Sequence, residues 1–158
     1  MLEFEVENRQ FFELHINARP DSYYSIDGVS LAIDQAASDA RDDKAYQYLV
    51  RNEAHALVAR VNLARVKRRH FHCAELGYRV AWSETGKGYA REAVRQAMNQ
   101  AFGVHRLVRV EATTRPENAG SVQVLMGNGF TKYGRSTRSF QLGDTWYDLL
   151  HFERRVSA

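Results

Sequence analysis

Between residues 82 and 103 the chain runs from a strand end through a glycine loop into a helix, and this succession constrains the fold more than any other stretch. Ala90, Ala93, Val94, Ala97, Met98, Ala101 and Phe102 recur at three- and four-residue spacing, which puts them on one face of a helix. Arg91, Glu92, Arg95, Gln96, Asn99 and Gln100 take the other face, and Gly103 stands where a helix terminator is expected. Such a helix must bury its apolar stripe against another layer, and a sheet is the layer expected if the flanking segments supply strands.

They do. Segments 45–50, 54–66 and 71–82 alternate with period two, the first two forming a hairpin around Arg51-Asn52-Glu53. In the third, Ala74, Leu76, Tyr78, Val80 and Trp82 share a face. Segment 106–114 is a further strand, and 130–141 and 145–155 pair around Leu142-Gly143-Asp144. Residues 3–19, closed by Pro20, and 30–42 read as helices, as does 118–128, where Asn118 caps the start and Gly129 stops the end. The order α α β β β α β α β β predicts an α+β protein: a mixed, mostly antiparallel central sheet flanked by helices, with 1–158 as a single domain.

With 158 residues, 44% of them hydrophobic and 26% charged, the chain can bury a sizeable core, and the disordered, collagen-like and disulfide-scaffold classes drop out. No apolar run approaches the ~20 residues of a membrane span, and the acidic beginning MLEFEVENRQ does not read as a secretory signal. Cys73 is the lone cysteine, and the six histidines lack paired ligand spacing beyond His70 and His72. No metal site is expected, and the expected location is cytoplasmic. The net charge of +3 is modest. Its densest cluster, Arg65, Lys67, Arg68, Arg69, His70 and His72, reads as a solvated turn between strands, with docking to RNA or a ribosome as the functional alternative.

The chemistry is expected in Trp82-Ser83-Glu84-Thr85-Gly86-Lys87-Gly88-Tyr89-Ala90. Two glycines allow a tight turn and close backbone approach to a ligand. The unpaired N–H groups and positive dipole end of the following helix then favour an anion, most naturally a phosphate or pyrophosphate. Lys87 adds a cation. The segment is neither a GxxxxGK[ST] nor a GxGxxG loop, which argues against nucleoside triphosphates and dinucleotides.

Taken in order, Glu75-Leu76-Gly77-Tyr78, Gly86-Lys87-Gly88-Tyr89-Ala90, Glu92-Ala93-Val94, Ala101-Phe102, Arg109-Val110-Glu111-Ala112, Pro116-Glu117-Asn118, Ser121, Val124-Leu125, Asn128-Gly129-Phe130 and Trp146-Tyr147-Asp148 resemble the Gcn5-related N-acetyltransferase family, in particular its ribosomal-protein-alanine branch. The resemblance implies that acetyl-CoA lies where the strand ending at Trp82 splays from the one beginning near Arg106. Backbone groups of Val80, Ala81 and Trp82 would pair with the pantetheine arm, and amides of Thr85, Gly86, Lys87, Gly88, Tyr89 and Ala90 would hold the pyrophosphate. Asn118 would bond the pantetheine region, and Ser121 would lie by the thioester sulfur.

Two departures from the family pattern bear on catalysis. Leu125 and Met126 occupy the helix region where relatives often carry an acidic Tyr, which leaves Ser121 as the replacement. Phe130-Thr131-Lys132-Tyr133-Gly134 has Tyr133 where relatives often carry a Glu. Glu75, on a face with Gly77 and Arg79, is the candidate base, with an ion pair to Arg79 as its structural alternative and Glu111 behind it. His55 and the pair Tyr23-Tyr24 read as core or rim residues, Tyr23-Tyr24 with an acceptor-lining role as the functional alternative.

The function this implies is transfer of acetyl from acetyl-CoA to a primary amine, by direct attack in a ternary complex. The preferred acceptor is a protein or peptide N-terminus, such as that of a ribosomal protein. The alternatives are a small amine (polyamine, amino acid or drug) and a non-catalytic acyl-CoA-binding or ribosome-docking protein. Exposed edges and apolar positions on the first two helices leave room for a homodimer.

Overall fold

The computed structural model describes residues 1–157. Six strands form one sheet: β1 (Tyr46–Arg51), β2 (Leu57–Lys67), β3 (Cys73–Val80), β4 (Arg109–Thr114), β5 (Thr131–Leu142) and β6 (Thr145–Arg155). Their spatial order is β1-β2-β3-β4-β6-β5, antiparallel throughout except for β3 beside β4. This is the mixed, mostly antiparallel α+β sheet that the sequence pattern predicts.

The parallel pair is short. Cys73, Ala74 and Glu75 sit opposite Arg109, Val110 and Glu111, and the pairing ends there. Beyond that point β3 stays with β2 as far as Val80, and β4 stays with β6 as far as Thr114. Each strand keeps its outer neighbour while the inner edges part, which opens a wedge in the middle of the sheet.

Helix α4 (Tyr89–Asn99) joins the two strands and lays its apolar stripe on the sheet. Val94, Met98 and Ala101 are fully buried, as are Leu63 of β2 and Val110 of β4, and Phe152 of β6 is nearly so. Burying each larger side chain contributes about 1.5–3 kcal/mol, so this helix, and the loop that leads into it, is held firmly against the sheet. It does not end at Gly103. A π-helical turn runs over Gln100–Val104, with the His105 N–H bonded to the Gln100 carbonyl at 2.9 Å. The wider turn places the His105 ring on Tyr46, centroids 3.5 Å apart, with its Nε2 2.6 Å from the Tyr48 hydroxyl.

The N-terminal helix is broken in two. Helices α1 (Leu2–Glu7) and α2 (Arg9–Glu13) meet at Asn8, and 14–20 is not helical. Asn8 is buried; its Nδ2 donates to the Phe4 carbonyl at 2.9 Å, and its Oδ1 accepts the Trp82 N–H at 2.8 Å. That second bond is a tertiary requirement that no local pattern reveals. Helix α3 (Ile26–Arg41) starts four residues before position 30, because the Ser25 hydroxyl accepts the Gly28 N–H at 3.0 Å and caps it. Gly28 abuts the preceding turn: a Cβ there would lie 2.1 Å from the Ser22 carbonyl oxygen. Helix α5 (Ala119–Gly127) has Asn118 as its N-cap, as the sequence predicts.

Strands β2 and β3 are shorter than their apolar alternation predicts. Asn52 accepts the Ala56 N–H in a closed turn at the start of β2, which puts His55 in that exposed turn at φ 62° and not on a strand face. At the end of β3 the chain folds into a single 3-10 turn, Trp82–Glu84.

Candidate active site

The wedge between β3 and β4 opens into a cavity of about 490 Å³, within the range of small-molecule sites. Its floor comes from the loop before α4, its near wall from Tyr78 and Val80 of β3, and its far wall from Asn118, Gly120 and Ser121 at the start of α5. Phe11 and Phe12 of α2, with His15 and Ile16 just after it, close the opposite mouth.

The loop has the geometry that its glycines require. Gly86 and Gly88 adopt φ of 76° and 87°, a region costly for residues with a Cβ, and a Cβ at either would meet nothing within 4 Å. Gly88 is the N-cap of α4, and the Glu92 N–H bonds the Gly88 carbonyl at 3.1 Å. The N–H groups of Tyr89, Ala90 and Arg91 therefore have no intrahelical acceptor. Thr85, Gly86, Gly88, Tyr89 and Ala90 line the cavity.

Lys87 does not line it; the ammonium turns back to Glu84 at 3.2 Å. Arg91 takes the place on the cavity wall instead. It also borders an adjoining basic depression of about 450 Å³ with Arg95, Arg154 and Glu92. Helical geometry explains the exchange: Arg91 lies in the first turn, next to the unpaired amides, whereas Lys87 lies in the loop beside a carboxylate.

Of the strand-end residues expected at the site, only Val80 lines this cavity. The Ala81 N–H bonds the Val58 carbonyl at 2.8 Å, and the Trp82 N–H is taken by Asn8. Both residues border a separate hollow beside α1, with Trp82 67% exposed. Since Ala81 is bonded toward β2, strand alternation turns the N–H groups of Tyr78 and Val80 toward the wedge.

Ser121 stands on the opposite wall, positioned by its backbone: its N–H donates to Asn118 Oδ1 at 3.1 Å. Its hydroxyl lies 2.7 Å from the Tyr78 hydroxyl, so the two groups share a hydrogen bond across the cavity. Burial pushes the Tyr78 phenol above its ordinary range, which keeps it protonated at neutral pH. The alternation of β3 marks Tyr78 as a core residue; its hydroxyl is polar and needs the partner that the wedge supplies.

Glu75 does not reach the cavity. It sits where β3 and β4 are still paired, in an ion pair with Arg65, not Arg79, that holds its carboxyl below the usual range. Glu111 is held by Arg109 and by the Tyr133 hydroxyl, which donates to it at 3.0 Å. Among the described lining residues the one carboxylate is Glu84, paired with Lys87. The other charged groups there are Arg79 and Arg91, with His15 pushed toward its neutral form by burial and by Arg115. No cluster of metal-binding side chains occurs among the described residues, and no helix there is long and apolar enough to cross a membrane.

The basic turn between β2 and β3 is partly structural: Arg68 bonds Asp43 and the His105 carbonyl, each at 2.7 Å. Tyr23 and Tyr24 stack edge to face at 5.2 Å and do not line the cavity. Cys73 is buried.

An acetyltransferase (GNAT) domain model matches residues 7–131. The chain is 32% identical over 148 residues to the probable N-acetyltransferase YjcK of Bacillus subtilis, covering 93% of this chain and 82% of that one. In fold it is similar to the ribosomal-protein-S5-alanine acetyltransferase of Vibrio fischeri, with a TM-score of 0.93, 22% identity, and coverage of 98% and 85% of the two chains. It is also similar to a variant of the spermidine N-acetyltransferase SpeG of Vibrio cholerae, with a TM-score of 0.75, 19% identity, and coverage of 94% and 89%.

Proposed function

Because this chain belongs to the GNAT acetyltransferase domain family, and so is an acetyl-CoA-dependent acetyltransferase, we propose that its acceptor is the α-amine at the N-terminus of a protein or peptide. The observation that carries this reading is the charge of the cavity, where Arg79 and Arg91 face a single carboxylate already paired with Lys87. A polyamine bears several positive charges and would meet like charges there. An α-amine has a pKa of about 7.7–8.0, so roughly a tenth of it is uncharged at pH 7. A lysine or polyamine amine, with a pKa near 10.4, stays almost wholly protonated at pH 7 and depends on a base, where the described lining residues offer Glu84, already paired with Lys87, and His15, held beside Arg115. The Vibrio fischeri protein is named for an alanine of ribosomal protein S5, and a ribosomal-protein N-terminus belongs to the class proposed for this chain.

The residues then divide the work. The unpaired amides of Tyr89, Ala90 and Arg91, with the dipole of α4 and the Arg91 guanidinium, hold the pyrophosphate of acetyl-CoA. The depression lined by Arg91, Arg95 and Arg154 receives its nucleotide end. Pantetheine runs along β3 toward the sheet, where the Val80 N–H and Asn118 replace its bonds to water. The acceptor arrives from the α2 side, past Phe11, Phe12 and His15.

Water takes the amine's proton, and the free nitrogen attacks the thioester carbonyl carbon. The developing oxyanion is stabilised by a backbone N–H of the parted strand, that of Tyr78. The nitrogen, positively charged once bonded to carbon, gives up a second proton to water; on collapse the C–S bond breaks and its electron pair stays on sulfur. The thiolate takes the Ser121 hydroxyl proton, and the Tyr78 phenol replaces it. The phenolate is then reprotonated from solvent. Serine alone is a poor acid; sharing its proton with Tyr78 puts the transient charge on a phenol.

The test is competition between two peptides of one sequence containing an internal lysine, one with a free N-terminus and one with it blocked. The proposal expects acetyl on the α-amine of the first and none on the second. Modification of lysine in both, or of spermidine in preference to either, overturns it.

A further inference from the structure

On β3 the residue after Tyr78 is a guanidinium without an adequate partner. The Arg79 side chain is only 20% exposed, lines the acceptor end of the cavity, and lies with its Cζ 5.3 Å from the centre of the Phe12 ring. Its one ion pair is with Glu5 Oε2 at 3.6 Å, beyond hydrogen-bonding distance. Among the described residues none hydrogen-bonds its five N–H donors.

Glu5 is not Arg79's alone. It is 2% exposed, in close contact with Arg60 through Oε1, and 3.7 Å from Arg19 through Oε2. Three guanidiniums share one carboxylate, an excess of two positive charges. Burial without compensation pulls the Arg79 pKa down to about 10, the direction expected for a cation short of counter-charge. Across the same mouth His15 Nδ1 lies 3.2 Å from Arg115, which bonds the Leu14 carbonyl, covers the Tyr147 ring and has no ion pair among the described residues. Other charges nearby are balanced: Arg9 is matched by Glu13 and Asp21.

A desolvated guanidinium with free donors is a receptor for a planar anionic group, since its fork matches the two oxygens of a carboxylate. We infer that Arg79 binds a carboxylate carried by the acceptor close to its amine, and that acidic acceptors are therefore the preferred substrates. This rests on the cavity's being the acceptor site. The carboxylate can come from a free α-amino acid or from an Asp or Glu beside a peptide's N-terminal residue; both present the same chemistry to Arg79. A purely structural role, clamping Glu5, would give no such preference.

The test is calorimetric titration of the full chain saturated with CoA, using matched pairs: alanine against alaninamide, and Ala-Glu-Ala-Ala against Ala-Gln-Ala-Ala, the peptides with amidated C-termini. The expected result is at least about tenfold tighter binding of the carboxylate member in one or both pairs, and the pair that shows it identifies the source. Arg79→Gln should cut that preference below about threefold and leave affinity for the amide members unchanged. Arg79→Lys, which keeps the charge and loses the fork, should retain only part of it and serves if the Gln variant does not fold. Carboxylate members that in both pairs fail to bind or bind no tighter than their amides, or an advantage kept undiminished in Arg79→Gln and Arg79→Lys, overturn the inference. Carboxylate binding without acetyl transfer would count against the proposed reaction alone.

Discussion

Replacing Glu5 by Gln keeps the shape of the side chain and removes the one charge that three guanidiniums share. Arg79 and Arg19 lie 3.6 and 3.7 Å from its carboxylate, and Arg60 is in direct contact. With an effective dielectric constant of 20, a pair at such a distance has a gross attraction of about 4–5 kcal/mol, most of it offset by desolvation. The loss on removing one partner is larger than the net value of the pair, because the remaining charges stay buried and repel one another. About 3–5 kcal/mol is expected, a large fraction of the roughly 5–15 kcal/mol that holds a protein folded. Urea unfolding followed by circular dichroism should show that loss with an unchanged slope, and Tm should fall by roughly 6–20 °C. Glu13→Gln, which removes a partly exposed partner of Arg9 and leaves it Asp21, serves as the control and should cost less than about 1 kcal/mol. A Glu5→Gln loss no larger than the control's would refute the reasoning, and with it the picture of a charge cluster that binds α1 to the sheet.

Acetyl-CoA at about a hundred times its Kd should add about 2.7 kcal/mol, a Tm rise of roughly 5–11 °C by scanning calorimetry. Gly88→Val forces a β-branched residue to φ 87° and should remove most of that rise while destabilising the free protein; an undiminished rise would mean the ligand does not use this loop. Ser121→Ala and Tyr78→Phe should each lower kcat by about a hundredfold with acetyl-CoA affinity nearly unchanged. The double variant should be no worse than either single one, whereas additive losses would show that the two hydroxyls act separately. Arg68 beside Asp43 holds that carboxyl at about 2, below its ordinary 3.8. A depressed carboxylate stabilises the fold above its unfolded pKa, so this contribution is full above about pH 4 and is lost as pH falls toward 2. Acid unfolding of Asp43→Asn should lack that component.

Much of this was legible in the chain itself, and particular residues show where legibility stopped. The spacing from Ala90 to Phe102 placed α4, and Gly86 and Gly88 marked the loop, because helical period and positive φ are local properties. Asn118 marked the cap of α5 for the same reason. The break at Asn8 was not legible, since it depends on a bond to Trp82, seventy-four residues away. Alternation correctly put Glu75 and Arg79 on one face of β3 but carried no information on depth along the strand. Glu75 falls where β4 is still paired and Arg79 where it has parted, so the carboxylate expected at the site lies outside it and an unexpected cation lines it. Tyr78 was hidden in an apolar pattern, because a phenol packs like a core residue until its hydroxyl finds Ser121.

The central claim is that one cavity holds thioester and amine together for direct attack. Initial rates measured while acetyl-CoA and a free-N-terminus peptide are both varied test it most directly. Direct attack in a ternary complex predicts double-reciprocal lines that intersect. Parallel lines, with label from acetyl-CoA left on the protein when the peptide is omitted, would mean an acetyl-enzyme intermediate and would contradict the account.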